Sequence, residues 1–127
     1  MNRADSDQEV IQFIEEHLHT VPHLEALLLI WQNSATPWTS DLLAARIYVT
    51  PIVGRNILEE LKRLGVVKPS ADSSYHYDPE WDEQRQLLPR LADLYRRQLV
   101  QVTKLIHSKG SSSVREFARA FQIKKDH

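Results

Sequence analysis

The chain predicts a mainly α fold carrying a small β-hairpin, and three observations support that prediction. Apolar residues recur at helical spacing through most of the sequence, Thr and Pro mark helix starts while Gly65 marks a stop, and two short β-prone runs flank a polar turn in "VVKPSADSSYHYDP". At 127 residues, 42% apolar and 26% charged, the chain suits one domain with helical arms and can bury a core without disulfides. Three parts follow: an N-terminal helix within residues 1–21, a helical unit with its hairpin over 22–79, and a C-terminal helical extension over 80–127.

From Asp7 to about His19, Val10, Ile11, Phe13, Ile14 and Leu18 fall at helical spacing opposite Glu9, Gln12, Glu15 and Glu16, which predicts an amphipathic helix. Pro22 opens a second helix as its first residue, and "HLEALLLIWQ" is apolar enough to belong in the middle of the core. After the breaker stretch "NSATPW", Thr39 caps a short helix to about Ile47 with Leu42, Leu43 and Ile47 facing inward. "YVT" forms the turn. Thr50 and Pro51 then open a helix that Gly65 closes, with Ile57, Leu58, Leu61 and Leu64 on one face.

The hairpin comes next, with its turn at Ala71 to Ser74, Tyr75 and Tyr77 on one face, and Pro69 pointing to an edge strand or an irregular pairing. Asp78 and Pro79 restart a helix whose apolar positions, from Leu87 to Ile106, continue to about Ser108. Pro89 lies inside it and predicts a kink or break near Leu88. "SKGSSS" is a flexible turn, and Ser113 with Glu116 forms a capping box for a last short helix carrying Val114, Phe117, Ala118 and Phe121.

Composition excludes several functions. Without cysteine there are no thiol nucleophiles, disulfides or thiolate metal sites. No apolar run nears the roughly 20 residues that span a bilayer, and the polar, acidic start is unlike a signal peptide, so a cytoplasmic location with no membrane partner is expected. Three glycines provide no phosphate-cradling loop, and no nucleophile has a placed base, so no enzyme is expected. The net charge of −1 conceals an asymmetry: residues 1–39 carry one basic and six acidic side chains, residues 40–79 five of each, and the remainder a basic excess. A polyanion would meet the C-terminal half.

This order of helices and hairpin is that of a winged helix-turn-helix with N- and C-terminal helical extensions. The segment from Leu24 to Tyr77 resembles the DNA-binding domains of MarR-like bacterial transcriptional regulators. The matching stretch is "WTSDLLAARIYVTPIVGRNILEELKRLGVV", with its capped helix, the Thr-Pro opening, the Leu-x-x-Leu-x-x-x-Gly end and the apolar strand after it. The whole chain is also similar to a group of small bacterial winged-helix proteins with a like "IHSKG...VREFARAFQIKK" tail, which supplies no function. The first resemblance implies a transcriptional regulator that binds duplex DNA. The helix from Pro51 to Leu64 enters the major groove, Thr50, Pro51, Ile52, Val53, Arg55 and Asn56 meet bases and phosphates, and Arg46 and Lys62 hold phosphates. Arg55 suits guanine and Asn56 adenine, each pairing two groups on one base edge.

The sequence departs from that pattern in two respects. Ile52 and Val53 are apolar where polar residues are usual, and the turn "SADSS" has an acid and no base. The alternative is a winged-helix module that binds a protein instead of DNA. Leu91, Tyr95, Gln98, Val102 and Leu105 follow the spacing of a two-helix seam, which serves either a homodimer through the C-terminal helix or packing on the chain's own domain. "HLHTVPH" clusters His17, His19 and His23, but two of these are two residues apart and Pro22 separates the third, which favours surface or capping histidines over a zinc or nickel site. No metal and no cofactor is expected. Trp31, Trp38 and Trp81 read as core or junction aromatics, and the junction of the winged helix with the C-terminal helices is a place for a small-molecule pocket.

Overall fold

A computed structural model describes residues 3–80 and 82–108, with side chains over 7–80 and 86–108. Trp81, the "SKGSSS" turn beyond Ser108 and the predicted helix after Ser113 lie outside the described residues. So do the side chain of Arg85 and the basic residues of the C-terminal tail.

Helix α1 runs over Arg3–His17, beginning earlier and ending sooner than the sequence reading placed it. It buries Val10, Phe13 and Ile14, with Leu18 just beyond its end. Helix α2, Val21–Gln32, starts at Val21, so Pro22 is its second residue; Thr20 caps it by accepting a hydrogen bond from the His23 amide at 3.3 Å. With Leu24, Ala26, Leu27, Leu28 and Ile30 all buried, it packs against the next two helices, the wing and the long C-terminal helix.

Helices α3 (Ser40–Ile47) and α4 (Pro51–Leu64) form the helix-turn-helix. Thr39 Oγ1 accepts from the Leu42 amide at 3.1 Å and Thr50 Oγ1 from the Val53 amide at 3.3 Å. Each such cap contributes about 1 kcal/mol. Leu43 and Ala44 are the buried residues of α3, while Leu42 and Ile47, expected inward, are only partly covered. Between the helices Tyr48 takes the left-handed conformation, φ 60°, a cost that a non-glycine residue bears where the chain must turn sharply. Gly65 closes α4 at φ 88°, as its position predicts.

Strands β1 (Val67–Pro69) and β2 (Tyr75–Tyr77) pair antiparallel, Val67 opposite Tyr77 and Pro69 opposite Tyr75. Trp38 joins them: its backbone exchanges two 2.7 Å hydrogen bonds with Tyr75, so the breaker stretch before α3 adds a one-residue bridge to β2. Trp38 is fully buried there.

Helix α5, Asp82–Arg97, passes through Pro89 unbroken, so of the kink or break expected near Leu88 the break does not occur. Pro89 is exposed and cannot donate the helical hydrogen bond at its position, while Leu88 and Leu91 anchor the helix to the core. The interruption comes at Gln98, after which residues 99–108 are helical again; this last segment is α6. Leu91, Leu94, Val102 and Ile106 are buried within the chain itself, Gln98 is exposed, and Leu99 is 51% exposed. Packing on the chain's own domain therefore accounts for most of the stripe. Arg90 meets Glu9 at 2.8 Å and Arg97 meets Asp7 at 3.1 Å, pinning α5 to α1. Among the described residues no helix is long and apolar enough to cross a membrane.

Candidate nucleic-acid interface

The buried face of α4 fixes which residues look outward. Gly54, Ile57, Leu58 and Leu61 are buried, and the opposite stripe holds Ile52, Asn56, Glu59 and Arg63, flanked by Arg55 and Lys62. Gly54 permits the close seat of α4 on α3: a methyl at this position would stand 2.7 Å from the Ser40 carbonyl oxygen and 3.3 Å from Ala44 Cβ. The sequence reading left this glycine without a role.

Of the predicted contacts, Thr50, Pro51, Ile52, Val53, Arg55, Asn56 and Lys62 all lie exposed on this one helix and its cap. Arg46 does not join them. Its guanidinium sits 5.8 Å from the centre of the Trp38 ring, and its side chain borders a cleft between α2, α3 and α5. That cleft, of about 550 Å³, also has Glu25, Asp93, Tyr95 and Arg96 on its walls, at the junction where a pocket was expected. Burial, with Glu25 nearby, pushes the Tyr95 phenol up.

The wing is held to α4 by a contact that spacing could not reveal. The Tyr75 hydroxyl donates to Glu59 Oε1 at 2.6 Å across sixteen residues. This bond holds the Glu59 carboxyl below its ordinary range, against a smaller opposing effect of burial and with help from Lys62, Arg63 and Arg55; it raises the Tyr75 phenol in turn. The wing tip is equally specified. Asp72 and Ser73 both take left-handed backbone, and Ser74 is buried with its hydroxyl 2.6 Å from the Ala71 carbonyl oxygen and 2.8 Å from the Ser70 hydroxyl. The tip thus presents Asp72 and no cation.

His23 joins α2 to α4: its Nε2 faces Glu60 Oε2 at 2.5 Å and its Nδ1 lies 2.6 Å from Thr20 Oγ1. His19 packs edge-on against it, and His17 leans on Phe13. Among the described residues no three His, Asp or Glu side chains are grouped to hold a metal ion.

A two-helix unit followed by a wing, preceded in the chain by α1 and α2 and followed by α5 and α6, is the MarR-like winged helix-turn-helix fold. The chain is similar over 94% of its length, and 90% of the other chain, to MepR, a transcription regulator of the Staphylococcus aureus multidrug efflux pump MepA, at 13% identity and a TM-score of 0.52. A single-residue MepR mutant matches at 14% identity, the same coverages and a TM-score of 0.52. A second mutant, bound to an oligodeoxyribonucleotide, matches at 13% identity, 94% and 89% coverage and a TM-score of 0.51. At these identities the likeness concerns the fold alone. No protein-family model and no curated protein matches the chain.

Proposed function

We propose that this chain is a DNA-binding transcriptional regulator that reads duplex DNA with α4, and that it is not an enzyme. The observation that carries the reading is the outward face of α4: Thr50 to Asn56 are exposed apart from Gly54, and the first turn of the helix holds no acidic residue. Acidic side chains favour that position because the helix dipole welcomes them. Their absence leaves the partial positive charge of the amides and Arg55 facing a phosphate backbone. The similar fold of MepR, including a mutant bound to an oligodeoxyribonucleotide, adds support by analogy.

Dimerisation through the C-terminal helices belongs to the same proposal, since two copies double the phosphate contacts of a reader whose charge is balanced. Because Leu91 and Val102 are buried within the chain, Leu99 and Val100 are the large apolar side chains left exposed in that region. A second reading, a protein-binding winged helix, is favoured by one observation: Tyr48, Ile52 and Val53 are exposed at 94%, 67% and 39% around the start of α4.

Fluorescence anisotropy of the full chain with fragmented genomic DNA of its source organism, repeated across a salt series, separates the two. Binding that weakens steeply as salt rises supports the DNA reading, because released counterions set that slope. Absence of binding at low salt turns the search to a protein partner.

A further inference from the structure

Ile52 and Val53 stand at the head of a helix whose outward face is otherwise polar, 67% and 39% exposed. Apolar side chains so placed gain only when an apolar group covers them. The charges around them select what that group belongs to. Arg55 is the one charged side chain from Tyr48 to Asn56, and no acid lies in the first turn. Such a surround complements a polyanion, and the floor of the DNA major groove offers a polyanion with one apolar feature, the C5 methyl of thymine.

We propose that Ile52 and Val53 read thymine methyl groups and give this chain a preference for sites with thymine in the major groove facing α4. The inference rests on the reading of α4 as the groove-entering helix. Ile52 and Asn56 are four residues apart and share the outward stripe. A single A·T pair can serve both: adenine presents the N6 and N7 edge that a carboxamide matches, and its thymine presents the methyl beside it. Two side chains that weaken a purely polar reading of the helix become, in this arrangement, the source of its base preference.

The test uses duplexes recovered by the full-length chain from a randomised library and resynthesised with deoxyuridine in place of thymine, which removes the methyl and leaves the pairing. Wild-type protein should lose roughly fourfold in affinity for each covered methyl. Ile52→Ala, at an exposed position that does not threaten folding, should bind the thymine duplex more weakly and discriminate thymine from uracil less. Its salt slope should not change, since no phosphate contact is removed. Equal wild-type affinity for both duplexes overturns the thymine proposal while the DNA reading stands. Failure to recover or bind any duplex at low salt overturns the DNA reading and this proposal with it.

Discussion

The hydroxyl of Tyr75 in the wing and the carboxylate of Glu59 in α4 meet at 2.6 Å, so the wing and α4 are fastened to each other and not only to the core. The bond depresses the Glu59 carboxyl and raises the Tyr75 phenol. A depressed carboxyl contributes stability that is present above its unfolded value and lost as pH falls through the folded one. The phenol works in the opposite sense: its contribution is complete below its ordinary range and lost as pH rises through the raised value. Tyr75→Phe should therefore be less stable than wild type at neutral pH, with the difference closing below the usual carboxylate range. Denaturant unfolding of both proteins across that range checks it, and a constant difference down to acid pH would remove Glu59 from the account.

Gly54 tests how tightly α3 and α4 are seated. Alanine is the better helix former by about 1 kcal/mol, which alone predicts stabilisation. The added methyl meets the Ser40 backbone carbonyl oxygen at 2.7 Å, and backbone gives way less readily than a side-chain tip. Overpacking of this kind costs about 1 to 3 kcal/mol, so Gly54→Ala should come out destabilised on balance. Equilibrium unfolding in urea gives the sign directly; a stabilised variant would mean that α4 can move away from α3 freely.

The sequence revealed the helix-turn-helix because its signals are local: Thr39 and Thr50 cap, Pro51 opens and Gly65 closes within a few residues of where they act. The wing hairpin was legible for the same reason. What was missed depends on partners distant in the chain. Trp38 looked like part of a loop because its two hydrogen bonds go to Tyr75, thirty-seven residues on. Helix position alone also could not show that the exposed Arg46, expected at a phosphate, lies beside the Trp38 ring. Pro89 allowed either a kink or a break; the helix is continuous through it, with Leu88 and Leu91 buried on either side. Nothing in the spacing marked Gln98 as the interruption.

Two substitutions on α4 separate positioning from reading. Lys62 is exposed beyond the first turns, where a phosphate contact is the expected role. Lys62→Ala should weaken binding to all duplexes alike and lower the salt slope by about 1. Arg55→Ala should instead cost about 1 to 3 kcal/mol on a selected duplex and less on random DNA, if it pairs with guanine. Anisotropy titrations of both variants on a selected and a scrambled duplex distinguish these patterns. An Arg55→Ala loss equal on both duplexes would reassign Arg55 to the backbone.

Arg97 is the charge that ties the two ends of the fold together. Its Nε lies 2.7 Å from Asp93 Oδ2 on its own helix and its Nη2 lies 3.1 Å from Asp7 Oδ1 on α1, ninety residues away. Hydrogen bonds from Arg97 first, and then Arg96, hold the Asp93 carboxyl below its ordinary range, so its share of stability is present above that range and fades as pH falls through the lowered value. Arg97→Gln keeps much of the side-chain volume and removes the charge. It should lower the melting temperature at neutral pH, by an amount that shrinks in high salt because the three groups are near the surface. The same substitution should matter less as pH falls through the lowered range of Asp93, where that carboxylate takes up a proton. Thermal denaturation followed by circular dichroism over that pH and salt grid decides the matter: a loss that is insensitive to both variables would mean that Arg97 supports α1 and α5 through the packing of its stem and not through its charge.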